Sequence, residues 1–276
     1  MRSPAARPVL AFLTDFGTRD PYVGAMKGAA LSVCADAALV DLTHDVAPHD
    51  VAEAARHLAA AAPFFPVDTA FVVVVDPGVG SARRALAARS GDRWFVGPDN
   101  GVLTPVLGPE AAVVEITEPR YMRETVSRTF EGRDRFAPAA AWLLRGVPLE
   151  ALGPRAADPV RLEQPRPDIA GGVLRGVLVA ADRFGNVATS IDRASVDAFA
   201  GGAPIGVTLD GRPLRLVGTY AEIADGEVAA IYGSVGLLEL AARSAPALGR
   251  PGVQLGAAVT IVRQGFGREF SPEPQD

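Results

Sequence analysis

Apolar residues fall in short unbroken runs in the first half of the chain and in alternating runs in the second. Val9–Leu13, "ALVDLTH", "AFVVVVD", "RWFVGPDNG" and "AVVEIT" each predict a strand. Continuous runs such as Val72–Val75 suit parallel strands buried on both faces. Helical spacing lies between them. Val23, Met26, Ala30 and Val33 share one face of "PYVGAMKGAALSVC", and "HDVAEAARHLAAAAPFF" and "FAPAAAWLLRG" predict two further helices. Asp50 is the expected N-cap of the second, with Glu53 completing a capping-box pattern. Strand and helix alternate, which predicts an α/β N-terminal domain with a mostly parallel sheet over residues 1–165.

Prolines and charges gather in "GPRAADPVRLEQPRPD", which marks a linker. Beyond it the pattern is β-like, and Asp210–Gly211 between two alternating runs signals a hairpin. Residues 171–265 are expected to form a small antiparallel β-barrel or sandwich, and the tail, 266–276, to be disordered. No internal repeat is visible.

Composition narrows the class. With 276 residues, 49% hydrophobic and 21% charged, the chain is long enough for a sizeable core. A net charge of −5 disfavours nucleic acid as a partner. No apolar run approaches the ~20 residues of a membrane span, and "MRSPAARPVLAFLTDFG" has no signal-peptide pattern. Cys34 is the only cysteine, which excludes an internal disulfide. A cytoplasmic protein without membrane partner is expected.

Polar clusters follow the strands at "TDFGTRD", "DPGVGSARR" and "GPDNG", and "RTFEGRDRF" precedes the last N-terminal helix. Ligands of open α/β sheets bind beyond the carboxyl ends of strands. If these loops share an edge, Asp15, Asp20, Asp76, Asp99, Asn100, Glu131, Arg133 and Asp134 converge; singly, acids at strand ends more often serve turns. "GVGSARR" lacks the Gly-Lys-Ser/Thr of a phosphate loop, the three histidines lack zinc spacing, and no nucleophile elbow is present. In the second half, "DRFGNVATSI" offers Phe184 to stack on a flat ring, with Asp182 and Asn186 for its hydrogen-bonding edges, and "IYGSVG" offers Tyr232 and Ser234 in the same way; a tight turn at "FGN" is the other reading. A small aromatic ligand is as far as the residues alone lead.

Taken in order, "FLTDFGTRDPYVGAMKG", "DLTHDVAPHDV", "VVDPGVGSARRALA", "FVGPDNGVLTPVL", "TFEGRDRFAPAAAWL", "DRFGNVATSI" and "IYGSVGLLELA" resemble the S-adenosylmethionine hydroxide adenosyltransferase family, the S-adenosylmethionine hydrolases, relatives of the fluorinating and chlorinating enzymes. The resemblance implies an N-terminal α/β domain and a C-terminal β-barrel. It also implies a homotrimer with substrate held between neighbouring subunits, and no cofactor or metal, S-adenosylmethionine being the substrate. Water attacks C5′, and methionine and adenosine form. Asp76 and Arg83 match the family's water-holding acid and arginine. The third member, a histidine in "TFHGRD", is Glu131 here. Asp15 matches the ribose-binding acid, and Asp20 and Ser234 fall where the charged ends of methionine are bound. Asn100 is carried over as substrate-binding with "GPDNG". Asp182, Phe184 and Asn186 match the C-terminal ligand loop, and Gly233 stands where the family commonly has Asn. Glu131 leaves a non-catalytic binder of the same ligand as an alternative. A halide-dependent transferase is disfavoured, since the halogenating relatives carry Tyr where Asp76 stands.

Overall fold

In the computed structural model, residues 7–264 are described. The chain divides into two compact units between Glu163 and Gln164. The tail expected to be disordered, 266–276, lies outside the described residues.

The first unit contains β1 (Val9–Thr14), α1 (Tyr22–Leu31), β2 (Ala38–Thr43), α2 (Val51–Ala61), β3 (Ala70–Val74), β4 (Ala85–Ser90), β5 (Arg93–Pro98), β6 (Ala112–Glu115) and α3 (Ala137–Leu144). The sheet runs β2-β1-β3-β5-β4-β6. Side chains alternate faces along a strand. Leu10, Phe12, Val72 and Val74 therefore enter one core with Met26 of α1 and Phe136, Ala140 and Leu143 at α3. Ala11, Leu13, Phe71, Val73 and Val75 enter the other with Ala54 and Leu58 of α2. Cover on both faces is why β3 reads as an unbroken apolar run.

The sheet is mixed rather than mostly parallel. β1–β2, β1–β3 and β3–β5 pair in parallel, whereas β4 is antiparallel to both β5 and β6. β4 and β5 form a hairpin across Gly91 and Asp92, and so short a connection can join only antiparallel strands. α2 is capped as expected at Asp50, whose Oδ1 accepts from Glu53 N at 2.7 Å. Its capping box is not reciprocal: Glu53 Oε2 reaches Ala47 N at 2.8 Å.

The second unit contains β7 (Asp168–Ala170), β8 (Val173–Ala181), β9 (Val187–Asp192), α4 (Arg193–Ala200), β10 (Ile205–Leu209), β11 (Arg212–Leu214), β12 (Leu216–Val217), β13 (Val228–Tyr232), β14 (Leu237–Ala242) and β15 (Ala258–Arg263). The path is β11-β10-β15-β8-β9-β14-β13-β12, with β7 on β8. All pairs are antiparallel except β12–β13. The two ends of this path, β11 and β12, are separated by Arg215 alone, so the sheet curls back on itself. It is barrel-like, without a ladder closing β11 onto β12. Its core takes Leu174, Ile191, Phe199, Val207, Leu240 and Ile261. Asp210 and Gly211 both adopt positive φ, 46° and 80°, as a type I′ hairpin turn demands. α4 interrupts the expected all-β pattern. Asp192 caps it by accepting from Ser195 N at 2.7 Å, and left-handed Gly201 ends it.

Candidate active site

β3 is the rigid element of the site. Val75 continues it into the core at zero exposure, and Asp76 is the first polar residue beyond it. The chain then doubles back: Val79 N donates to Asp76 O at 3.2 Å, and Ser81 N to Gly78 O at 3.1 Å. This turn returns Arg83 to Asp76. Arg83 Nε donates to Asp76 Oδ1 at 2.8 Å, and Nη2 donates both to Asp76 Oδ2 and to Glu131 Oε2. The Arg83, Asp76 and Glu131 side chains are 9%, 5% and 11% exposed. Burial opposes the charge on Arg83. The hydrogen bond and charge of Asp76, then those of Glu131, outweigh it and hold the guanidinium pKa above its ordinary value.

Gly80 is needed twice over. Its φ is +77°, and a Cβ there would lie 2.6 Å from Arg128 O. The glycine turn is thereby pressed against the segment that carries Glu131, and Arg128 Nη2 donates to Gly80 O at 3.0 Å. Glu131 stands just before a π-helical turn, Gly132–Phe136, that leads into α3. Such widened turns are frequent at functional sites. Asp134, fully buried within it, accepts from Arg133 Nε at 2.6 Å and Ser127 N at 2.9 Å. Burial works to raise the Asp134 pKa, but Arg133 and then Ser127 N prevail and lower it.

Asp15 follows β1. Its Oδ2 accepts from His49 N at 2.9 Å, with His49 at φ 70°. Buried Thr14 and His44 join beneath it, Oγ1 to Nδ1 at 2.8 Å, and Gly17 N donates to His44 O at 2.8 Å. The carboxylates Asp15, Asp76 and Glu131 line one cavity of about 340 Å³ together with the rings of Phe16, Tyr22 and Phe130. These rings pack edge to face with centroids 5.4–5.9 Å apart.

Other candidates lie elsewhere. Asp20 is exposed and does not line the cavity. Asn100 braces the chain behind Asp76: Nδ2 donates to Val75 O at 2.8 Å, and Oδ1 accepts from Val102 N at 3.1 Å. Asp99 accepts from Arg84 Nε and Val160 N, both at 2.7 Å, and so pins the segment after the first unit's last helix. Cys34 is buried, and burial raises its pKa.

In the second unit the "FGN" segment is a tight turn and also lines a cavity of about 710 Å³ with Asp182, Phe184, Asn186, Tyr220 and Ser234. Asp182 Oδ1 accepts from Phe184 N and Asn186 N, and its Oδ2 from Asn186 Nδ2, all at 2.9 Å. The turn leaves the Phe184 ring 77% exposed. Glu239 lies nearby; burial, then the charge of Asp182, raises its pKa. A Cβ on Gly233 would fall on Glu239 Oε1, so the carboxyl occupies the space a larger residue at 233 would need.

Sequence reasoning missed Phe16, Tyr22, Phe130, His49, Tyr220 and Glu239. The first three stood inside quoted motifs, as aromatics beside "TD", at the start of α1 and before Glu131. Only the fold shows that they face one cavity. Among the described residues, no group of three or more His, Cys, Asp or Glu is placed to hold a metal ion, and no helix is long and apolar enough to cross a membrane.

Residues 10–153 match the model described as the SAM hydroxide adenosyltransferase N-terminal domain, and residues 176–260 match that of the C-terminal domain. The chain is 38% identical to the (R)-S-adenosyl-L-methionine hydrolase of Thermus thermophilus, covering 93% of this chain and 100% of the relative. It is 37% identical to the protein of the same name from Salinispora tropica, covering 93% and 98%. A fluorinase from an Actinoplanes species is 31% identical over 93% and 98%. A crystal structure of an uncharacterized conserved protein from Thermotoga maritima superimposes with a TM-score of 0.82 at 33% identity, covering 92% of this chain and 100% of that one. The chain belongs to the SAM hydroxide adenosyltransferase family.

Proposed function

We propose that the protein hydrolyses S-adenosyl-L-methionine to adenosine and methionine, with Asp76, Arg83 and Glu131 readying the water. The observation that carries the reading is the Asp76–Arg83–Glu131 cluster at the wall of a cavity also lined by Asp15 and three aromatic rings. Water oxygen bonds to C5′ as the C5′–S bond breaks. The bonding pair goes to sulfur, and the sulfonium leaves as the neutral thioether of methionine. The leaving group therefore needs no protonation. Water loses its proton as attack develops, to Asp76 or Glu131 and thence to solvent. Arg83 fixes Asp76 by two hydrogen bonds, which sets the line of approach.

The cavity suits a cationic substrate. Its carboxylates attract the sulfonium, and aromatic faces stabilise cations by about 0.5–2 kcal/mol. The same carboxylates repel an incoming halide, which favours hydrolysis over halogen transfer. Asp15 is assigned to the ribose hydroxyls. Asp20 and Ser234 are assigned to the ends of methionine, Phe184 to the face of adenine and Asn186 to a polar edge of the ligand, with Asp182 in the same ligand loop. With Nδ2 bound to Asp182, Asn186 has its carbonyl oxygen for that task. Asn100 is better assigned to holding the Val75–Asp76 segment than to touching substrate. The relatives' printed names specify the R sulfonium epimer, and the same epimer is proposed here. A cytoplasmic homotrimer that uses no cofactor and binds neither nucleic acid nor membrane completes the reading.

Purified protein incubated with each sulfonium epimer, with products separated by chromatography, tests it. Adenosine and methionine in equal amounts are expected. Bound, unchanged S-adenosylmethionine after hours would instead support a non-catalytic binder. A 5′-halo product in chloride would support the transferase.

A further inference from the structure

Glu131 has a second guanidinium neighbour. Its Oε2 meets Arg83 Nη2, while its Oε1 lies 3.4 Å from Arg135 Nη2, four residues on through the π-helical turn. The Arg135 side chain is 24% exposed, and its Nε is buried with no hydrogen-bond partner among the described residues. Its recorded ion-pair partner is Glu131. Asp76, Arg83, Glu131 and Arg135 thus form a row of alternating charge. The row is neutral as it stands and carries one net negative charge without Arg135.

The other charged groups near Glu131 come from neighbouring loops. Asp15, after β1, and His49, before α2, line the same cavity. Arg133 and Asp134 pair with each other. Without Arg135, two carboxylates would share one guanidinium with a third carboxylate across the cavity. A like charge at this range favours the protonated form of one member.

We propose that Arg135 is a positioning residue for the hydrolytic site, holding the Glu131 carboxyl group in place so that Arg83 Nη2 serves both Asp76 and Glu131. Glu131 and Arg135 thereby act as one ion pair at the cavity wall. The inference rests on the hydrolase reading of the same cavity.

The test is the pH dependence of kcat/KM for adenosine formation in wild type, Arg135→Leu, Arg135→Lys, Glu131→Gln and the double variant Glu131→Gln/Arg135→Leu. Circular dichroism confirms each fold, and Arg135→Gln replaces the leucine variant if that does not fold. The acid limb of Arg135→Leu is expected to lie above that of wild type, because two carboxylates then share one guanidinium. Arg135→Lys is expected to restore it, and the double variant to share the limb of Glu131→Gln. A limb in Arg135→Leu identical to wild type, with a loss of rate uniform across pH, would overturn the inference. So would a shift that persists undiminished in the double variant. Wild type that forms no adenosine at any pH defeats the hydrolase reading itself. Active wild type with an unmoved limb defeats only the role of Arg135.

Discussion

Asp76 and Arg83 are seven residues apart, and their encounter depends on the glycine turn between them. Truncating Asp76 leaves the aromatic walls of the cavity in place and removes one of the two carboxylates proposed to take the water's proton. Asp76→Ala is expected to lower kcat by about 10²–10⁴-fold. The Kd for S-adenosylmethionine, measured by calorimetry, should change little. A parallel loss of affinity would make Asp76 a binding residue. Gly80→Ala places a methyl at a φ of +77° and drives it into Arg128 O. The segment bearing Glu131 must move, and a misplacement of about 1 Å costs on the order of 10²-fold in rate. Single-turnover kinetics with a thermal melt on the same sample separates this loss from unfolding. At Gly233, Asn would occupy the place of the Glu239 carboxyl. Gly233→Asn is expected to turn the flexible Glu239 carboxyl aside with little change in melting temperature, read in a thermal melt.

At the scale of elements, α4 shows what cap chemistry contributes. Asp192→Ala removes the acceptor for Ser195 N and should cost about 1 kcal/mol in urea unfolding. The same residues show where the sequence was legible. "AFVVVVD" and Asp210–Gly211 announced a buried strand and a hairpin because both signals are local. The end signals of α4 were local too, Asp192 before it and Gly201 after it, but the surrounding alternation masked them and the helix was not expected. The antiparallel placement of β4 was not legible as sheet order, because it depends on where a hairpin docks. The site divides in the same way. Asp76, Arg83 and Glu131 stood in motifs, whereas His49 enters the cavity through a positive φ that no pattern reports. Asn100 was legible as important, but its backbone partner, Val75 O, depends on the neighbouring strand.

For the whole molecule, acid stability has a defined weak point. The Asp134 pKa is lowered from 3.8 in the fold. The unfolded chain therefore takes up this proton first, and the stabilisation is present above about pH 4 and lost as pH falls through the lowered folded value. Asp134→Asn is expected to flatten the acid side of the melting-temperature profile; an unchanged slope would assign it to other groups. Sedimentation should give a mass three times the 28.6 kDa of one chain if the proposed trimer forms. The most direct measurement of the central claim is turnover in ¹⁸O-water by wild type and Asp76→Asn, read by mass spectrometry. Wild-type adenosine should carry the label in its 5′-hydroxyl, and the variant should form labelled adenosine at least about 10²-fold more slowly. Unlabelled adenosine, or a variant that labels at the wild-type rate, would contradict water activation by Asp76.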